Sequence, residues 1–425
     1  MLLSFSFENF LSFKDRVKMN FKAGTIKDLP ENIYSSYFDD ELKVLKSLGL
    51  YGANSSGKSN IIKAFAFFRN FILNSSKESN AAQKIPVKPF LLAESSEQNP
   101  SLFEAEFYLN EVRYRYGFKV TTNSVVEEWL FQTYKRKDEM VFIRAKQIFS
   151  FEKKFRTEFK SKLDTLAEFT NINSLYISVL AQFNIQIAQD IIKWFNSSII
   201  ANDTDHTNLI DFTANLLSNP TYSGLINDIM VHSGFGISGI KGTIKELAAK
   251  TNYSIQFLNT LFEQEIKKYS VKTRHLKFNL NNKPLDNIFF DLIEHESLGT
   301  QKFFGLLGPV LIALKEHRLL FVDEIDARLH TTLLESLIKL FNSVKYNPNG
   351  AQLVFTSHNT TLLKDDMRRD QMVFVNKNEM GSSTFENLHV SNPKVRNDAT
   401  FDKDYLSGKY GAIPNLSTQL NLFEK

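Results

Sequence analysis

Residues 48–59 read Leu48-Gly49-Leu50-Tyr51-Gly52-Ala53-Asn54-Ser55-Ser56-Gly57-Lys58-Ser59, an apolar approach that runs into a phosphate-binding loop. Gly52, Gly57, Lys58 and Ser59 fit the spacing Gly-x-x-x-x-Gly-Lys-Ser, in which each residue type has a task. Glycines let backbone N–H groups curl around phosphate oxygens with no Cβ in the way. The spacing assigns Lys58 to the β- and γ-phosphates and the Ser59 hydroxyl to Mg²⁺. Ile61 to Phe65 opens a helix whose positive end would face the same anion. Val44-Leu45 through Leu50 reads as the buried strand that feeds the loop. The expectation is a nucleotide site.

Composition narrows the rest. With 425 residues the chain can build a sizeable core and more than one lobe. Zero cysteines exclude disulfides, thiolate catalysis and Cys-ligated zinc. A net charge of +4 does not by itself announce a nucleic-acid binder. No window approaches about 18 uninterrupted apolar residues, and the N-terminus lacks a basic-then-apolar signal segment. The expectation is a cytoplasmic protein with no membrane partner.

Leu2–Phe7 and Val17–Phe21 read as strands. After the loop an amphipathic helix is expected to about Leu73, then a polar loop over Asn74–Asn80. Leu102–Leu109, Val112–Val120 and Val125–Tyr134 alternate with period two, so they predict an antiparallel sheet with one wet face. Asn110-Glu111 would turn the first hairpin. From about 155 to 270 the spacing turns helical, as in Leu175–Phe183, Ile185–Phe195 and Phe257–Tyr269, with polar breaks such as Asn202–Asn208. Strand and helix then alternate from Val271 to Asn376. The boundaries drawn are an N-terminal lobe, 1–150, a helical insertion, 151–270, and a C-terminal lobe, 271–425.

The second half supplies partners for the loop. Leu319-Leu320-Phe321-Val322-Asp323-Glu324 is a buried strand ending in two acids, the first suited to holding Mg²⁺ and the second to polarising an attacking water. Asp326 stands either as the N-cap of the next helix or as a nucleotide contact. Leu353 to His358 is a second buried strand that delivers one histidine to its carboxyl end, a candidate γ-phosphate sensor. Glu296-Ser297-Leu298-Gly299-Thr300-Gln301 opens a helix. Its Ser and Gly suit either an anion site or an ordinary cap.

Phosphate loop, long insertion, Ser-x-Gly-Thr-Gln, acidic strand, Asp loop and strand-borne His follow one another in an order that resembles the ATP-binding-cassette superfamily, in its soluble SMC/RecF/OLD branch. The N-terminal Glu8-Asn9-Phe10-Leu11-Ser12-Phe13 is similar to the Asn-Phe-x-Ser element on which that branch opens, although several relatives carry Arg where Leu11 stands. The run from Asp323 to His330 and the late Tyr410-Gly411-Ala412-Ile413-Pro414 resemble the AAA-type ATPases of phage-defence operons, the RloA and abortive-infection AbiL type. OLD nucleases append a Toprim domain, for which too few residues follow the last strand.

The resemblance covers about 1–150 and 270–415. It implies an α/β, ABC-ATPase-like P-loop NTPase head, with a mixed sheet and an antiparallel β subdomain, interrupted by a mainly helical insertion. It also implies a homodimer of heads, or a higher oligomer, that sandwiches ATP and Mg²⁺. Gly52, Asn54, Gly57, Lys58, Ser59 and Asn60 would then bind nucleotide in cis, with Asp326 beside them. Ser297, Gly299 and Thr300 would cap the γ-phosphate in trans. Ser59 and Asp323 would organise the metal, Glu324 would activate water, and His358 would stabilise the transferred phosphoryl. The implied role is an ATPase sensor or scaffold that controls a separate effector, a nuclease or toxin encoded nearby, in bacterial antiphage defence. The alternative is a RecF/SMC-like DNA-binding ATPase of repair or recombination, which keeps a nucleic-acid partner open. A transporter subunit fits less well, because Ser-Leu-Gly-Thr-Gln departs from that branch's Leu-Ser-Gly-Gly-Gln.

Overall fold

Runs of continuous apolar residues build the centre of the molecule. The computed structural model describes residues 1–35, 42–78, 83–134, 137–159, 161–202, 206–244, 269–363, 366–391 and 401–407. A six-stranded sheet has the order Ile199–Ala201, Leu319–Val322, Gln352–Ser357, Ser47–Tyr51, Met372–Lys377, Ser383–Asn387. The first five strands are parallel and the last is antiparallel. Every residue of Ser47–Tyr51, Leu319–Val322 and Gln352–Ser357 is buried, as expected of parallel strands covered on both faces. Their carboxyl ends, Tyr51, Val322 and Ser357, therefore open on one edge, where the loops carrying the chemistry emerge.

Helix Lys58–Glu78 leaves that edge and lies between two sheets. The second sheet is antiparallel and seven-stranded, in the order Ile148–Phe151, Lys137–Ala145, Val125–Tyr134, Val112–Val120, Ser101–Leu109, Leu2–Glu8, Val17–Asn20. Phenylalanines fill the space between the layers. Phe65 stacks on Phe321 of the parallel sheet at 4.3 Å, while Phe68 lies 5.4 Å from Phe5 and 5.3 Å from Phe118 of the antiparallel one. Such contacts explain the phenylalanine-rich composition as core. The expected hairpin turn is present, with Asn110 and Glu111 at φ of 49° and 64°, the left-handed pair that a two-residue turn requires.

Two expectations need correction. The helix expected to end near Leu73 continues to Glu78. Within its polar end Ser75 is buried, its Oγ lying 2.9 Å from Ser178 Oγ and accepting from the Leu175 N–H at 3.1 Å. The middle segment is mainly helical, as expected, and is also tied into the head. Ile199–Ala201 pairs in parallel with Leu319–Val322, and Arg69 of the phosphate-loop helix donates to the carbonyls of Phe195 and Asn196 at 3.0 and 3.1 Å. The region from Val271 begins with a three-stranded antiparallel sheet, Gly239–Ile244, Tyr269–Phe278 and Pro284–Asp291, before strand and helix alternate. The helix expected over Phe257–Tyr269 falls mostly outside the described residues, as does the 410–414 tail motif.

One buried ion pair joins the antiparallel sheet to the middle segment. Glu128 accepts from Tyr116 Oη at 3.0 Å and from the Tyr176 and Ile177 N–H groups at 2.7 and 3.0 Å, so it caps helix Tyr176–Gln182 from another strand. Arg144 Nη1 is 3.7 Å away and donates to Ser174 O at 2.6 Å; both side chains are fully buried. Arg144→Leu leaves an uncompensated buried carboxylate and should cost about 3–5 kcal/mol. A urea titration checks this; a loss below about 1 kcal/mol would contradict it.

Candidate functional site

The phosphate loop is shaped by what lies behind it. Gly57 has φ +113°, and a Cβ there would fall 2.3 Å from Ser383 Oγ; at Gly52 it would fall 2.2 Å from Val375 O. Only glycine fits either position. Ser383 also donates to Ser56 O at 2.5 Å, and its Oγ lies 2.7 Å from Ser12 Oγ, so the last strand and the N-terminal motif brace the loop from below. Asn60 donates to Ser12 Oγ at 2.9 Å, which makes it part of this brace. Asn9 places the motif, donating to Ser96 O and Asn99 O at 2.7 and 2.8 Å. Leu11 packs against the core. Asn54 is exposed at the loop's tip.

Lys58 begins the helix and turns its ammonium back on the loop, donating to Gly52 O at 2.8 Å and Ala53 O at 2.9 Å; Nζ is 3.3 Å from His358 Nδ1. Burial pulls its pKa down to about 8, against the opposing pull of Asp326, Asp323 and Glu324. Phosphate oxygens would displace two carbonyls as its partners and bring more negative charge.

The acidic strand delivers the other half. Ser59 Oγ donates to Asp323 Oδ1 at 3.0 Å, and Thr356 Oγ1 donates to the same oxygen at 2.6 Å. The Thr356 hydroxyl also accepts from the Glu324 N–H at 2.7 Å. Glu324 sits at φ 49°, a conformation costly for a residue with a long side chain and common where function demands it. Lys302, from the helix opened by Ser297, donates to Glu324 O at 2.7 Å and holds the same turn from outside.

Asp326 does not cap the next helix. His330 does, its Nδ1 accepting from the Thr332 N–H at 3.4 Å. Asp326 Oδ2 instead accepts from the His358 N–H at 2.9 Å, which fixes the histidine's backbone beside Lys58. Its Oδ1 is buried without a partner among the described residues, as is Ser56 Oγ.

Lys58, Ser59, Asp323, Asp326 and His358 thus meet at one edge of the sheet. Ser297, Gly299 and Thr300 do not join them. Ser297 Oγ accepts from the Thr300 N–H at 3.1 Å as the N-cap of helix Leu298–Lys315. A Cβ on Gly299 would sit 2.6 Å from Arg328 O of the acidic loop. The sequence reading does not single out Thr356 or Lys302. Thr-Ser-His at the end of a buried strand was the available signal for the first, and nothing local marked the second.

The donor set suits a magnesium nucleotide. Among the described residues no cluster of three or more His, Asp or Glu could hold a metal alone. Ser59 and Asp323 offer two hard oxygens, and Mg²⁺ bound in this manner completes its shell with phosphate and water.

No curated protein compared with the chain matches it. Among solved structures, 83 chains match. The SMC head domain from Thermotoga maritima is 14% identical over 91% of this chain and 98% of that one, with a TM-score of 0.39. CbiO1 from Clostridium perfringens, part of the ABC transporter complex CbiONQ, is 11% identical over 93% and 92%, with a TM-score of 0.32. A family described as "AAA domain, putative AbiEii toxin, Type IV TA system" matches residues 47–226 and 243–364. With well over half of its length matched, and with phosphate loop and acidic strand inside the match, the chain belongs to this AAA-domain family of P-loop ATPases.

Proposed function

We propose that this chain binds and hydrolyses ATP with Mg²⁺, associates as two heads around the nucleotide, and thereby controls a separate effector in antiphage defence. The observation that carries the catalytic reading is the hydrogen-bonded run Ser59–Asp323–Thr356–Glu324 beside Lys58. It joins a metal-suited hydroxyl and carboxylate to the backbone N–H of a second acidic residue beside the glycine-rich loop, which supports this reading.

In this reading Lys58 leaves its loop carbonyls for the β- and γ-phosphates, and backbone N–H groups of the loop hold the remaining oxygens. Ser59 and Asp323 would hold Mg²⁺, which supplies charge neutralisation when bound. Glu324, whose backbone is clamped by Thr356 and Lys302, orients and deprotonates the attacking water. His358, fixed by Asp326, donates toward the charge developing on the transferred phosphoryl. Among the described residues no hydrogen bond joins Ser297 or Thr300 to the chain's own phosphate loop, which supports the turn's use by a second copy. The family's description names a putative toxin of a type IV toxin–antitoxin system, and that supports a role in conflict with phage.

Three outcomes test the reading. Lys58→Ala removes the cation facing the phosphates and should weaken fluorescent-ATP binding by roughly ten- to a hundredfold, the worth of a charge-assisted contact. Unchanged affinity refutes the phosphate-loop assignment. Glu324→Gln keeps the shape of the site and should bind ATP normally while hydrolysing about a hundredfold more slowly or worse. Phosphate release at the wild-type rate moves the base elsewhere. Ser297→Arg should spare nucleotide binding by the single chain and abolish ATP-driven association, read by light scattering; normal association would leave Ser297 as a helix cap only.

A further inference from the structure

Among the described residues, two groups of exposed apolar side chains lie close to the elements of the candidate site. Leu276, Phe278, Leu280 and Leu285 are all at least half exposed on the hairpin formed by Tyr269–Phe278 and Pro284–Asp291. Scattered exposed apolar residues are ordinary, but several on one projecting hairpin mark an interaction surface. Its base is tied to the Ser297 turn. Glu296 Oε1 accepts from Thr273 Oγ1 and lies 2.8 Å from His275 Nε2. From Thr273 to Leu280 a strand advances about 20 Å, so the hairpin stands out as an arm beyond that turn. The arm is basic: Lys272, Arg274, Lys277 and Lys283 are exposed, and none is in an ion pair among the described residues. Asp286 is its one exposed acid.

The second surface flanks the phosphate loop. Leu91, Leu92 and Met380 are 68%, 69% and 72% exposed. They adjoin, since a Cβ on Gly381 would lie 2.6 Å from Leu92 Cδ1. The same turn leads into Ser383, which braces the loop through Ser56 O. Its exposed rim is mainly acidic, with Glu94, Glu97 and Glu379, again outside any ion pair among the described residues, and with Lys88 and Lys377 at the outer edges.

We propose that the 269–291 arm of one copy packs on the Leu91–Leu92–Met380 patch of a second copy. The inference rests on the two-head reading above. If the phosphate loop of one head faces the Ser297 turn of the other, arm and patch face each other once at each composite site. Charge selects this pairing. Arm against arm sets basic rim on basic rim, and patch against patch sets acid on acid, whereas arm on patch joins opposite signs around apolar centres. Three of the four, Leu276, Leu280 and Leu285, are aliphatic and suit a protein surface better than stacked bases, for which Phe278 alone among them offers a ring. Because Glu296 joins the arm to the Ser297 turn, seating the arm would also set the position of that turn.

The absence of cysteine makes a direct test available. Chains carrying Leu285→Cys and chains carrying Met380→Cys, both with Glu324→Gln, are mixed with ATP and treated with a short bis-maleimide. A covalent dimer is expected in the mixture and in neither variant alone. Lys277→Glu with Lys283→Glu should weaken ATP-driven association roughly three- to tenfold, as should Glu94→Lys with Glu379→Lys, and all four together should restore it. No covalent dimer in the mixture, a dimer from one variant alone, or no rescue overturns the proposal. So does tight binding of a labelled 20-nucleotide single strand or duplex that the two arm substitutions abolish, since the arm would then serve nucleic acid. A covalent dimer that forms equally without ATP, or with Lys58→Ala, keeps the arm and rejects the ATP-driven reading. ATP-driven association without cross-linking keeps that reading and rejects the arm.

Discussion

One carboxylate oxygen holds the site together. Asp323 Oδ1 accepts from Ser59 and from Thr356, so it joins the loops at the carboxyl ends of three strands, Leu319–Val322, Gln352–Ser357 and Ser47–Tyr51. These strands are neighbours in the sheet, and their register decides whether the three groups meet. A slip of one residue would send each side chain to the opposite face. The parallel sheet is therefore part of the site's chemistry as well as its support.

Around that junction the acidic loop is held in a conformation it would not choose alone. Glu324 and Arg328 both have positive φ, at 49° and 63°. The strain is held by specific contacts: Thr356 binds the Glu324 N–H, Lys302 binds its carbonyl, and the Ile325 N–H donates to Thr356 O at 3.1 Å. Two of these contacts come from the histidine strand and one from the helix begun by Ser297. The geometry of the acidic residue thus depends on both elements at once. A displacement of the Ser297 helix has a short path, through Lys302, to the backbone of Glu324.

The same economy appears further from the site. Helix Lys58–Glu78 begins on the phosphate loop and ends among residues of the middle segment, where Ser75 meets Ser178. Arg69 ties its centre to the end of another middle-segment helix, and Ile199–Ala201 then becomes an edge strand of the parallel sheet. The interrupting segment is consequently a structural layer of the head. Removing it would strip one sheet edge and one face of the helix on which the nucleotide loop rests.

The phosphate loop, the acidic strand, the strand-borne histidine and the antiparallel hairpins were legible in the sequence, because each is a local pattern. Backbone shape at Gly52 and Gly57, period-two alternation and short buried apolar runs are properties of neighbouring residues. Other features depend on what lies far away in the chain. Asp326 reads equally well as a cap or a ligand until His330 takes the cap and the His358 N–H takes the carboxylate. The polar end of the phosphate-loop helix looks like a loop until Ser178 and Leu175 supply its partners. Nothing local marks Glu128 and Arg144 as core residues, yet both side chains are fully buried, with Glu128 bonded to the Tyr176 and Ile177 N–H groups and Arg144 to Ser174 O of the middle segment. By itself the sequence determined which residues could touch a phosphate, since that depends on side-chain type and local backbone freedom. Only the tertiary structure decided which of them meet, because hydrogen bonds between strands far apart in sequence exist only once the sheet has set their order and register.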